Sequence, residues 1–199
     1  MDEFKKVTRA VEFIKGKTDV SPSIGIILGT GLDKLADKID NRIVIPYREI
    51  PHFPVSTVKG HPGNLIIGNI EGKNVVAMQG RFHLYEGYTA MEIAFPIRVM
   101  KFLGIDILFE SNAAGGLNPM FSVGDLVIIS DHINLTGYNP LVGPNDERFG
   151  PRCPDMSEVY NKGLIKIAET IALEEKLSVK KGVLVGLLGP NLETRAEYR

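Results

Sequence analysis

Asn74-Val75-Val76-Ala77-Met78-Gln79-Gly80-Arg81-Phe82-His83-Leu84-Tyr85-Glu86-Gly87-Tyr88 joins an apolar run to a polar corner bounded by glycines. The apolar half reads as a buried strand that runs into Gly80. If the chain stays extended past that glycine, side chains two residues apart share a face. Arg81, His83 and Tyr85 then form a row, with Phe82 and Leu84 turned back into apolar packing. A guanidinium fork, an imidazole and a phenol in line suit a small anion joined to a hydroxyl-rich group. On spacing alone, an edge strand carrying solvated polar residues fits as well. The other corners of the chain have to decide.

Immediately upstream, Leu65 to Ile70 forms the first arm of a hairpin closed by Glu71-Gly72-Lys73. Before it lies a proline-rich loop, Pro46 to Pro62, followed by Gly63; within it His61 stands between glycines, a position that an exposed loop histidine also explains. Ile43 to Ile45 reads as a short strand. Further back, Ile24 to Leu28 is a buried strand ending in Gly29-Thr30-Gly31-Leu32, with a short helix expected over about 32–39. Strand, glycine turn and helix together form a candidate anion site, although a purely structural tight turn fits that stretch too. The turn is not a dinucleotide fingerprint, because Lys34 occupies the third glycine position. Phe4, Val7, Val11 and Ile14 recur at helical spacing and predict an amphipathic opening helix over 3–15.

Downstream, Thr89-Ala90-Met91-Glu92 has the form of a capping box and predicts a helix to about Leu103, with Pro96 kinking it or sitting in an early turn. Ile105 to Ser111 is a strand that ends in Asn112-Ala113-Ala114-Gly115-Gly116-Leu117-Asn118, a third small-residue corner. Asp125 to Ser130 reads as a strand, 136–156 as a long ordered loop, and Ser157 to about Lys176 as a helix with Leu164, Ile167, Ala168 and Ile171 inward. Gly182 to Leu188 is a last strand, ending in Gly189-Pro190-Asn191-Leu192-Glu193-Thr194. Strands and helices alternate, so the expectation is one α/β domain over 1–199, with helices flanking a mixed central sheet. Ligands collect outside the carboxyl ends of strands in such sheets, which would bring the corners at Thr30, Arg81 and Ala113 towards one anion, with Glu193 entering from a fourth strand.

Composition narrows the partners. A net charge of -1 argues against a nucleic-acid partner, which calls for a basic excess. No apolar run reaches the roughly 18 residues needed to span a bilayer. The stretch Met1 to Lys6 lacks the regions of a signal peptide, so the expected location is the cytoplasm. The single cysteine, Cys153, has no partner for an internal disulfide and belongs to no metal-ligand cluster.

Taken in order, Gly29-Thr30-Gly31-Leu32, Gly60-His61-Pro62-Gly63, Gly80 to Tyr88, Asn112 to Asn118, Gly143-Pro144-Asn145-Asp146-Glu147-Arg148-Phe149-Gly150 and Gly189 to Thr194 make the chain resemble the purine nucleoside phosphorylases of the trimeric kind. The resemblance implies attack of inorganic phosphate on the ribose anomeric carbon of inosine or guanosine, releasing purine and ribose 1-phosphate in purine salvage. It implies phosphate held by Thr30, Arg81, His83 and the Ala113 backbone N–H, with His61 beside phosphate and sugar. Tyr85 would bond the ribose, Glu193 the six-membered ring of a 6-oxopurine, and Asn112, Ala113, Ala114, Gly115 and Leu192 would complete the ribose and base site. His83, Glu193 and His61 would be the catalytic groups. No metal or organic cofactor is implied, phosphate being the co-substrate, and the assembly implied is a homotrimer.

Three departures stand out. Leu192 replaces a usual aromatic, Cys153 replaces a usual phenylalanine that reaches a neighbouring subunit, and the family pattern continues beyond Arg199 through late strands and a closing helix. Exposed apolar surface and unpaired strand edges are therefore expected. Two other readings stay open: a methylthioadenosine phosphorylase, against which Glu193 and the 112–118 corner count, and a binding remnant without catalysis.

Overall fold

A computed structural model describes residues 2–29, 31–55 and 63–199. The chain divides into two compact units: Met1–Ala113 with Asn139–Val142, and Ala114–Tyr138 with Gly143–Arg199. The α/β class expected from the alternation of elements is what is observed.

In the first unit, α1 (Glu3–Lys15) is capped by Asp2, whose carboxylate accepts the Phe4 N–H at 3.2 Å. Val7, Val11 and Ile14 of the predicted stripe are buried, joined by Ala10, while Phe4 is partly buried. The sheet comprises β1 (Ile24–Leu28), β2 (Asp40–Pro46), β3 (Asn64–Ile70), β4 (Lys73–Gln79) and β5 (Ile107–Glu110), in the order β2-β3-β4-β1-β5. β3 pairs antiparallel with β2 and β4, whereas β1 lies parallel between β4 and β5, so the sheet is mixed. Glu71 and Gly72 both adopt positive φ (47° and 75°), the geometry of the two-residue turns that match hairpin twist. The short helix expected over about 32–39 is present as a 3₁₀ helix, Asp33–Lys38. With six residues it is too short for propagation of i→i+4 bonds to offset helix nucleation. Its Ala36 packs with Leu28, Ile39, Ile66, Val75 and Ala77 on one side of the sheet.

α2 (Ala90–Leu103) begins at the expected capping box, with Thr89 and Glu92 exchanging bonds, and ends at Gly104. Pro96 lies inside the helix, two turns in, and is itself buried. The T-shaped Phe4–Phe102 pair, 5.4 Å between centroids, joins α1 to α2.

The second unit contains β6 (Leu126–Asn134), α3 (Lys162–Glu174) and β7 (Val179–Gly186), with β6 and β7 paired in parallel. β6 continues four residues past Ser130, and the register shift there lets Ser130 Oγ donate to the Gly182 carbonyl at 3.1 Å. α3 starts at Asn161, whose side chain accepts the Leu164 N–H, rather than at Ser157. Ser157 is instead held in a local turn by the Asp155 carboxylate, which takes both its N–H and its hydroxyl. Ala172 is buried, but Ile167, Ala168 and Ile171 are exposed, contrary to the inward face read from the sequence. Leu126, Ile133 and Val183 on the strands are half or more exposed too, so the expected uncovered apolar surface is concentrated here. Segment 143–156 is ordered by its own polar groups: Asp146 caps a 3₁₀ turn and pairs with Arg148, and Arg152 donates to the Gly143 carbonyl at 2.6 Å.

Candidate active site

Because β4, β1 and β5 run parallel, their carboxyl ends emerge side by side. Arg81 follows β4, Gly29 follows β1 and Ser111 follows β5. Arg81 Nη1 donates to the Ser111 carbonyl at 2.9 Å, and the Gly29 N–H donates to Ser111 Oγ at 2.9 Å. Gly29 has to be glycine: a Cβ there would strike the Ser111 carbonyl group.

The row Arg81, His83, Tyr85 is present, but its geometry differs from a continued strand. β4 stops at Gln79, Gly80 turns at φ 100°, and Leu84–Glu86 form a 3₁₀ turn capped by Gly87 at φ 95°. Phe82 is buried as expected, whereas Leu84 is only half-buried. Tyr85 therefore reaches the row by stacking: its ring lies 4.7 Å from that of His83, tilted by 15°. Arg81 Nε is 3.4 Å from His83 Nε2.

Glu86 is what bends the chain. Its Oε1 accepts both the His83 N–H, at 2.9 Å, and a bond from His83 Nδ1, at 2.8 Å. The carboxylate is 3% exposed and the imidazole 20% exposed, so the pair is partly shielded from water. A proton on Nδ1 satisfies Glu86 and directs Nε2 towards Arg81.

Tyr47 is a residue that the sequence reading misses. Buried among Phe53 and Phe82, with centroids 5.7 and 5.2 Å away, it donates its hydroxyl to the Gly80 carbonyl at 2.7 Å. Burial raises its pKa well above the ordinary phenol value, so it acts as a fixed donor. Nothing in its local sequence marks it, because Gly80 lies 33 residues away.

The remaining candidates divide by unit. Thr30 and His61 lie outside the described residues. Asn112 and Ala113 continue from Ser111 in the first unit, both exposed, and Asn112 Nδ2 bonds the Ala113 carbonyl at 3.3 Å. Ala114, Gly115, Leu192 and Glu193 belong to the second unit. There, Leu192 is 83% exposed, and Glu193 directly precedes a capped turn in which Thr194 and Glu197 exchange bonds. Cys153 is exposed.

Residues 23–199 match the model of the Phosphorylase superfamily. The chain is 53% identical to Purine nucleoside phosphorylase 1 of Bacillus subtilis, covering 98% of this chain and 72% of the relative. It is 55% identical to the protein of the same name from Geobacillus stearothermophilus, over 97% of this chain and 70% of that one. A crystal structure of isoform 2 of purine nucleoside phosphorylase from Schistosoma mansoni, in complex with cytosine and ribose-1-phosphate, superimposes with a TM-score of 0.93 at 48% identity, covering 98% of this chain and 70% of that one. The chain belongs to the phosphorylase superfamily and, within it, to the purine nucleoside phosphorylases.

Proposed function

We propose that this protein is an enzyme that cleaves purine nucleosides with inorganic phosphate. A phosphate oxygen forms a bond to C1′ as the C1′–N9 bond breaks. The purine takes the bonding electrons and a proton, leaving free base and ribose 1-phosphate. The observation that carries this reading is the row of Arg81, His83 and Tyr85 at the carboxyl ends of parallel strands, in a chain about half identical to named purine nucleoside phosphorylases.

In this reading Arg81 and His83 hold the phosphate, together with Thr30 and the Ala113 N–H, and His61 lies beside phosphate and sugar. Glu86 keeps His83 aimed, supported by the 2.8 Å contact to Nδ1. Tyr85 bonds the ribose, fixed in place by its stack on His83. The transition state resembles a ribosyl cation between anion and departing base, so catalysis rests on placing the phosphate and stabilising charge on the purine. Glu193 accepts N–H groups at the edge of a 6-oxopurine and would repel the bare ring nitrogen of adenine. That favours inosine and guanosine over methylthioadenosine. Asn112, Ala114, Gly115 and Leu192 complete the ribose and base side. Phosphate serves as co-substrate, with no organic or metal cofactor, and the assembly we favour is a homotrimer in the cytoplasm, acting in purine salvage through one domain over 1–199. Among the described residues no helix is long and apolar enough to cross a membrane.

Incubating the purified chain with inosine, with and without phosphate, tests this directly. Phosphate-dependent appearance of hypoxanthine and ribose 1-phosphate is expected. Phosphate binding without cleavage would identify a binding remnant instead, and preferential cleavage of methylthioadenosine would overturn the 6-oxopurine assignment.

A further inference from the structure

Ser111 is absent from the phosphate, sugar and base contacts proposed above, yet its polar groups tie together the three strand ends that carry the site. Its hydroxyl accepts the Gly29 N–H at 2.9 Å and donates to the Ile27 carbonyl at 3.1 Å, which fixes the hydroxyl rotor. Its backbone N–H reaches the same Ile27 carbonyl at 3.1 Å. Its own carbonyl accepts Arg81 Nη1 at 2.9 Å. The ends of β1, β4 and β5 therefore meet at one residue. We propose that Ser111 is a positioning residue for phosphate, coupling the turn that starts at Gly29 to the Arg81 guanidinium so that the strand ends present a preformed anion cradle. The proposal rests on the phosphate-site reading above.

Two features separate this role from general support of the fold. Strand pairing between β1 and β5 uses backbone groups and continues at Ser111 through its own N–H, so the hydroxyl is not needed to hold the sheet. What the hydroxyl alone supplies is an acceptor for the Gly29 N–H at the mouth of the turn, where the two backbones approach so closely that a Cβ on Gly29 is excluded. Without it the Gly29 amide loses its partner and the turn gains freedom to rotate. The adjacent Ser111 carbonyl, which anchors one arm of Arg81, shifts with it. Phosphate, held by a fork of fixed geometry, is sensitive to such a displacement, whereas Glu193, which reads the base in this proposal, belongs to the other unit of the chain.

The test compares wild type, Ser111→Ala and Ser111→Thr in the full chain. It measures KM for phosphate and for inosine separately, calorimetric binding of inorganic phosphate, and the thermal midpoint. Ser111→Ala should raise the phosphate KM and weaken phosphate binding by about tenfold while the inosine KM stays within about twofold. Ser111→Thr, which keeps the hydroxyl, should recover most of the loss. An unchanged phosphate KM in Ser111→Ala, or an equal rise in both KM values, overturns the positioning role. If wild type binds phosphate but does not cleave inosine, the functional reading fails while calorimetry still decides Ser111: weaker binding by Ser111→Ala supports it and equal binding overturns it. A wild-type chain that binds no phosphate overturns both.

Discussion

The two units of the chain bury their apolar side chains to very different degrees. Among the described residues, every buried apolar side chain except Ala172 lies in the first unit, on both sides of its five-stranded sheet and beneath α1 and α2. In the second unit, α3 and the β6–β7 pair leave Ile167, Ile171, Leu173 and Val183 half or more exposed. The proposed site follows the same contrast. Arg81, His83 and Tyr85 contact one another, Glu86 holds His83 at 2.8 Å, and the buried Tyr47 holds the preceding Gly80 carbonyl at 2.7 Å. Leu192 and Glu193 stand on an exposed segment. Preorganisation of the anion half thus comes from the packed unit, where low water content strengthens each polar contact.

The largest test of that contrast is a pair of truncations. Ile66→Ala, at a site 2% exposed, should cost about 2–5 kcal/mol of stability through lost burial and a residual cavity. Ile171→Ala, at a site 50% exposed, should change it by no more than about 0.5 kcal/mol. Urea unfolding midpoints would measure both, and equal losses would erase the distinction between the units.

The two halves of the proposed site can be crossed in the same way. Arg81→Ala should raise the phosphate requirement about a hundredfold, equivalent to about 2.7 kcal/mol of transition-state binding. Glu193→Gln should lower inosine cleavage while leaving calorimetric phosphate binding close to wild type. Parallel losses in both variants would mean that the halves do not act separately.

Tyr47→Phe sharpens the case for buried support. It removes the only hydroxyl contact to the Gly80 carbonyl described here without changing ring packing, and should cost about 1–3 kcal/mol, read by thermal or urea melts. No measurable loss would show that the bond does not tie the corner down.

The smallest effect is expected at the cap of α2. Thr89→Ala should cost about 1 kcal/mol. The Thr89 N–H and hydroxyl bonds hold the Glu92 carboxyl below its ordinary 4.5, so folding favours the carboxylate. That contribution is present above pH 4.5 and is lost as pH falls through the lowered folded value. Thr89→Ala should therefore flatten the acid limb of a stability–pH curve, and an unaltered limb would remove Glu92 from its explanation.

Local patterns made α1, the 71–72 hairpin turn and the Thr89 cap readable, because helical spacing, paired turn residues and capping boxes act over a few neighbouring positions. Longer inferences from the same rules failed where competition was local but unseen. Asp155 captures Ser157 and so moves the start of α3 to Asn161. Glu86 captures His83 and converts an extended run into a turn.

By itself, the sequence determined the α/β class, the glycine corners at strand ends and the residue types of the proposed anion site, since these depend on periodicity and on backbone freedom at glycine. Only the tertiary structure decided how Tyr85 joins His83, that Tyr47 holds Gly80 and that Ser111 joins three strands. Those bonds span up to 84 residues, from Ile27 to Ser111, and the longest exist only once parallel pairing has brought the strand ends together.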